Sequence, residues 1–154
     1  AIQQTSVTSA MLKVNSSGVL VAATAGTDYV AASSLDNGTY APYLVTMTNV
    51  AAGSSLTNSS YSRVGNIVTV SGTATITRAT SGTASFTINV PIVPSSGLGF
   101  SAADSLSGNA IGDASAMFAR IRANTTNVGA EFLVSSGPGG TAFTIGYVFQ
   151  YKIN

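Results

Sequence analysis

The sequence predicts an all-β, antiparallel fold: a β-sandwich or jelly-roll-like head carrying an extended N-terminal neck. Three observations predict it. Apolar and hydroxyl residues alternate strictly over several long segments, the mark of a strand with one buried face. The chain holds 22 Ser and 19 Thr, while charged residues make up only 7% of its 154 positions. Gly- and Asn-rich turns separate the segments at short spacing. Thr suits a pleated, half-exposed surface, and Ser and Gly suit turns. Polarity that charges usually supply is therefore carried by hydroxyls. A hydrophobic content of 45% sets the chain apart from disordered sequences, which join low hydrophobicity to high net charge.

The first forty residues hold two short apolar runs, Met11 to Val14 and Val19 to Ala23, separated by Asn15-Ser16-Ser17-Gly18 and followed by Gly26-Thr27-Asp28. They are too few for an independent core. Residues 1–40 therefore read as a neck that needs partners, and residues 41–154 as the head. Within the head, Tyr43 to Val50 places Tyr43, Val45 and Met47 on one face, and Tyr61 to Val64 runs into the two-residue turn Gly65-Asn66. From there Val68, Val70, Gly72, Ala74 and Ile76 alternate with Thr69, Ser71, Thr73, Thr75 and Thr77. The next segment sets Ala84, Phe86, Ile88, Val90 and Ile92 against Ser85, Thr87 and Asn89. The short link Ala79-Thr80-Ser81-Gly82 joins these two strands as a hairpin.

Ala102 to Ala119 is Ala-rich, but Gly108 and Gly112 interrupt it and no helical apolar stripe survives. Met117, Ala119 and Ile121 alternate with Phe118, Arg120 and Arg122. Val128, Ala130, Phe132 and Val134 follow, then the loop Gly137-Pro138-Gly139-Gly140, which breaks any strand or helix. The last segment puts Phe143, Ile145, Tyr147, Phe149, Tyr151 and Ile153 on one core-facing side. It reads as the second arm of a hairpin with the Val128 segment.

Composition excludes several classes of function. His, Cys and Trp are absent, so the chain alone offers no thiol nucleophile, no Cys/His zinc site, no Ser-His-Asp triad and no disulfide framework. A net charge of +1 supplies no basic stripe for nucleic acid. No run approaches the roughly 18 apolar residues of a helical membrane span, and no signal-peptide pattern is present. The N-terminal Ala leads us to expect a fragment or a processed product. No cofactor or metal is expected.

The segment from Met11 to Tyr29, with its Leu12-Lys13, Ser/Gly and Ala22-Ala23-Thr24-Ala25-Gly26-Thr27-Asp28-Tyr29 stretches, resembles the shaft and neck segments of tailed-phage tail fibres. The order Tyr61 to Gly72, then Phe86 to Ile92, then a closing aromatic strand is similar to the C-terminal heads of phage tail-fibre and receptor-binding proteins. That resemblance implies a virion protein acting outside the cell. It implies a homotrimer with intertwined neck strands, and a non-catalytic head that touches a host-surface glycan or protein. A neck that cannot bury its own apolar runs can do so against two copies of itself. Alternative readings are a purely structural virion module and an enzyme cleaving surface polysaccharide.

The carboxylates are Asp28, Asp36, Asp104, Asp113 and Glu131. A glycosidase needs two carboxylates at about 5 to 9.5 Å, and Asp104 and Asp113 are the pair nearest in sequence within the head. Solvated turn and strand-end positions explain all five and are the favoured reading, and no Asp-x-Asp spacing supports a calcium loop. Arg120 and Arg122 share a strand face, with Glu131 on the strand after the turn Asn124-Thr125-Thr126-Asn127. They read as a cross-strand ion pair or a trimer contact, or else as a grip on an anionic sugar. The sequons at Asn15, Asn37, Asn58 and Asn124 match chance expectation for so hydroxyl-rich a chain and say nothing of glycosylation.

Binding loops belong at the end away from the neck. With the head entered near Tyr43 and strands alternating in direction, the loops Ala51 to Ser59, Ala79 to Gly82, Leu106 to Asn109 and Asn124 to Asn127 fall at that far end. Gly65-Asn66 and Gly137 to Gly140 fall near the neck. Among the far loops, Asn58, Ser81, Asn124, Thr125 and Asn127 offer the short polar groups that hydrogen-bond sugar hydroxyls.

Overall fold

The computed structural model describes residues 12–24, 35–94, 99–112 and 117–153. Residues 12–24 form a separate hairpin. Strands β1 (Leu12–Val14) and β2 (Leu20–Ala22) pair antiparallel. The Asn15 side-chain oxygen accepts the backbone N–H groups of Ser17 and Val19, each at 3.0 Å, and Gly18 takes the left-handed φ of 75° that closes the loop. Leu12, Val14, Val19 and Leu20 are exposed. Met11 and the Ala25-to-Tyr29 part of the fibre-like motif, Asp28 included, lie outside the described residues.

The other strands are β3 (Leu35–Tyr40), β4 (Leu44–Thr48), β5 (Ser55–Leu56), β6 (Ser59–Val64), β7 (Ile67–Thr77), β8 (Gly82–Ile88), β9 (Leu106–Gly112), β10 (Phe118–Asn124), β11 (Gly129–Gly137) and β12 (Ala142–Lys152). They form one antiparallel sheet in the order β3-β6-β7-β12-β9-β10-β11-β8-β4, with β5 added against β7. β3, which precedes Ala41, belongs to this sheet through its pairing with β6. The expected all-β class holds.

The sheet curls until its apolar face covers itself. Phe132 on β11 meets Tyr147 and Phe149 of β12 at ring-centroid distances of 5.1 and 6.5 Å, although β9 and β10 lie between those strands in the sheet. At one end the curl closes through the bridge Val50↔Arg78. That bridge ties the continuation of β4 to the end of β7. All six core-facing residues predicted on the last strand are buried, none more than 4% exposed. Tyr43, Val45 and Met47 are exposed but do not keep to one face as expected: the register slips between Leu44 and Thr46, which sets Thr46 opposite Thr87 and Met47 opposite the core residue Phe86.

Both long-strand hairpins expected from sequence are absent. β7 pairs with β6, β12 and β5, not β8, and β11 pairs with β10 and β8, not β12. Ala79-to-Gly82 and Gly137-to-Gly140 instead carry the chain across from one side of the curl to the other. Crossing lets Phe132, stacked on Phe86, lie against Tyr147 and Phe149, whereas in-plane pairing would leave both apolar faces on one side. Connections that do close in plane are Gly65-Asn66, between β6 and β7, and Asn124-to-Asn127, between β10 and β11.

The assignment of loops to ends needs correction too. Leu106 to Asn109 is no loop; it belongs to β9, between β12 and β10. The strand reads Leu-Ser-Gly-Asn-Ala-Ile-Gly, a composition poor in strand formers. It forms because close packing demands it: a Cβ on Gly108 would lie 2.3 Å from the Val148 carbonyl and 2.6 Å from the Phe149 Cα. One overlooked strand reverses the parity of everything after it. Registers Lys152↔Ile67, Tyr151↔Leu106 and Arg122↔Ser107 put the Asn124-to-Asn127 turn at the same end as Gly65-Asn66 and the chain entry at Leu35. Gly137-to-Gly140 joins Ala79-to-Gly82 at the other end, where the Gly139 N–H donates to the Ser81 hydroxyl at 3.2 Å.

Outside the core, hydroxyls take the place of salt bridges across strands. Thr75 and Thr144 meet at 3.1 Å, the Gln150 amide donates to Thr69 at 3.0 Å, and Thr57 and Thr73 meet at 2.7 Å. Inside, Tyr147 and Ser59 share a buried 2.6 Å bond, and the Tyr151 hydroxyl donates to the Ile92 carbonyl at 2.9 Å. Burial pushes the Tyr40, Tyr147 and Tyr151 hydroxyls above the usual tyrosine value, outweighing the hydrogen bonds that favour ionisation in Tyr147 and Tyr151. The folded chain therefore holds these protons more tightly than the unfolded chain. Stability from this source is complete below about pH 10 and is lost as pH rises above it, since the unfolded tyrosines ionise first. Thermal midpoints across the alkaline range should stay flat to about pH 9 and then fall; a flat profile to the end would show these hydroxyls to be solvated.

Candidate functional site

The outer face of β4, β8, β11 and β10 carries a polar cleft of about 450 Å³ at the end of the sheet where the chain enters. Arg122 and Glu131 stand directly opposite each other in the β10–β11 register, because both occupy outward positions on strands whose alternate residues fill the core. The Arg122 Nε donates to Glu131 Oε2 at 2.6 Å, with the two side chains 39% and 21% exposed. Of the expected readings, the cross-strand ion pair is the one this geometry fulfils. Arg120, on the same face, lies opposite Leu133 and Asn109 and outside the cleft.

Beside the ion pair the Asn124 side chain does two jobs. Its Oδ1 accepts the backbone N–H groups of Thr126 and Asn127 at 3.0 and 2.8 Å, folding the turn. Its Nδ2 donates to the Thr87 hydroxyl at 2.9 Å, which also accepts from Thr46 at 2.8 Å. Thr87 is fully buried, so this bond fixes the turn to the sheet. Thr125, Thr126 and Asn127 form the remaining wall. The cleft is thus preorganised, and its lining is nearly all hydroxyl, amide and charge-neutral ion pair.

Three of the five residues picked from sequence as sugar-binding, Asn124, Thr125 and Asn127, meet here. Asn58 lies elsewhere, lining a shallower groove of about 660 Å³ with Gly146, Ile111 and Val148. Ser81 sits at the opposite end of the sheet, held against Gly139. Thr46 and Thr87 escaped the sequence reading because an outward Thr in a strand looks like any other. Asp104 lies on a short 3-10 turn, Ala103–Ser105, before β9, and Gly112 ends that strand. Asp113 lies outside the described residues. Among the described residues no group of three or more acidic side chains converges as a metal site would require.

A second feature that sequence did not single out is Arg78. It is 1% exposed at the bridge that closes the curl. Its guanidinium donates to the Ser135 carbonyl and, at 3.3 Å, to the Met117 sulfur, and it lies 4.6 Å from the Phe143 ring centroid. Nε has no hydrogen-bond partner among the described residues. Burial lowers the guanidinium pKa, and no carboxylate among the described residues pairs with it. A Cβ on Gly137 would come within 2.6 Å of Nη1, so a larger residue there would have to displace the guanidinium. The signal was a lone Arg ending a Val/Thr strand, which reads as a solvated strand end.

No family and no curated protein matches the chain. Among solved structures it is similar to avian reovirus sigmaC residues 117–326, in a C2 crystal form, at 14% identity over 93% of this chain and 76% of that one, with a TM-score of 0.44. A likeness of that size carries no argument about function.

Proposed function

We propose that the chain is the distal, non-catalytic part of a phage tail fibre, trimeric in the virion and binding a receptor on the host surface through the cleft beside the Asn124-to-Asn127 turn, on the outer flank of the sheet at the chain-entry end and not at the far end where loop parity put it. The observation that carries this reading is the convergence of Asn124, Thr125 and Asn127 with the Arg122–Glu131 pair in one preorganised polar cleft. Support also comes from the fibre-like sequence of the neck and head. Three copies would cover apolar side chains that one chain leaves exposed: Val14 and Leu20 in the neck, Met47 on the β4 edge, and Ile111, Phe118 and Val148 on the outer face. Avidity from three clefts makes weak single contacts sufficient.

The test joins two measurements on the full chain. Light scattering should give three chain masses. Thr126→Trp, at an exposed turn position, should block the cleft and lower adsorption to intact bacterial cells at least tenfold while leaving the thermal midpoint unchanged. A monomer mass, or adsorption indifferent to Thr126→Trp, would overturn the reading. A stable trimer that adsorbs to no cell would favour a purely structural module.

A further inference from the structure

The chemistry of the cleft narrows the class of receptor. A protein partner binds through desolvated aromatic and Arg anchors that fill pockets. This cleft presents no aromatic side chain, only the methyls of Ala103 and Ala123 and the apolar parts of threonines. A nucleic acid or acidic polymer needs uncompensated cations. Here the cleft's cation, Arg122, is neutralised by Glu131 at 2.6 Å.

What remains is a rigid donor beside a rigid acceptor. The pair is joined through the Arg122 Nε, so the two terminal nitrogens of the fork are not consumed by it. A carboxylate has acceptor capacity well beyond one hydrogen bond. Two adjacent hydroxyls of a sugar ring match this arrangement, one oxygen accepting from the guanidinium and its neighbour donating to the carboxylate. The turn side chains add short hydroxyl and amide groups at the rim.

We propose that the cleft binds an uncharged sugar residue, reading two adjacent hydroxyls with the Arg122–Glu131 pair and discriminating against acidic sugars. This rests on the receptor-binding reading above. The role given to Glu131 is specific: it supplies the acceptor, and its charge cancels Arg122 so that a carboxylate-bearing sugar gains nothing.

The experiment titrates the full chain with the methyl glycosides of glucose, galactose, mannose and rhamnose, and with those of glucuronic and galacturonic acid, following backbone amide shifts. At least one neutral glycoside should shift the Asn124-to-Asn127 amides with millimolar affinity, and the acidic glycosides should bind about tenfold more weakly, because desolvating their carboxylate is offset by no net positive charge in the cleft. Glu131→Gln keeps the shape but leaves Arg122 uncompensated. It should weaken the neutral ligand about tenfold and strengthen the acidic ones, an exchange of preference that a merely structural role for Glu131 would not produce. Acidic glycosides binding the unaltered chain as well as neutral ones would overturn the proposal, as would silence from every neutral glycoside. If that silence comes with cell adsorption that Thr126→Trp abolishes, the sugar assignment alone falls. If it comes with no adsorption at all, the receptor reading falls with it.

Discussion

Phe132→Ala should be among the most destabilising single substitutions in the head, lowering stability by about 3–5 kcal/mol and the thermal midpoint by on the order of 10 °C. Phe132 is fully buried and stands where the two sides of the curled sheet meet. Its ring stacks on Phe86 at 4.5 Å and meets Tyr147 and Phe149 edge-on at 5.1 and 6.5 Å. Truncation removes the transfer free energy of the ring and leaves a cavity that the three strands carrying these rings, held in a closed curl, cannot collapse to fill. Three aromatic contacts go with it, each worth about 0.5–1.5 kcal/mol beyond its buried area. Phe132→Leu keeps apolar volume and loses chiefly the ring geometry, so its effect should be less than half as large. Chemical denaturation of the three proteins decides the matter; equal losses for Ala and Leu would mean that shape at this position matters less than ring contacts.

Arg78→Ala should destabilise on a similar scale, about 3 kcal/mol or more, by two mechanisms that a second variant separates. Ala empties the space under the Phe143 ring and strips the Ser135 carbonyl of its donor. Arg78→Met refills most of that space without bringing a charge into the interior. Among the described residues the buried guanidinium is compensated by one carbonyl, one sulfur and one ring face, with Nε unpartnered. Replacing a buried, poorly compensated ion by an apolar side chain of similar volume is often neutral or stabilising. Arg78→Met should therefore lie within about 1.5 kcal/mol of the unaltered chain. Were Met as damaging as Ala, the charge itself would be holding the closure, through the Ser135 carbonyl and the cation–π contact. Arg78→Lys should sit between the two, because an ammonium lacks the planar fork that lies over Phe143 while donating.

Much of the architecture was legible before the fold was known, and particular residues show why. Phe143 to Ile153 alternates without exception, and a period of two with one wholly apolar side has a single physical solution, a strand against a core. The Arg122–Glu131 pair was legible for a similar reason, since a short polar turn between two alternating segments fixes which outward residues face each other. β9 was not legible. Its Gly108 and Gly112 and its Asn109 argue for a loop on local grounds, and only the approach of the β12 backbone makes glycine the residue that fits. Long-range pairing overrode local propensity there.

By itself, the sequence determined the β class, the faces of the long strands, the use of hydroxyls in place of charge, and the chemistries that a chain without His or Cys lacks. These are consequences of composition and of period, both local properties of the chain. The tertiary structure alone decided which strands are neighbours, which loops share an end, that Arg78 is buried, and that Asn124, Thr125 and Asn127 meet the ion pair while Asn58 and Ser81 do not. Each of those depends on how a twisted sheet curls until its apolar face is covered. That is set by the sum of contacts between residues distant in sequence, and no local pattern records it.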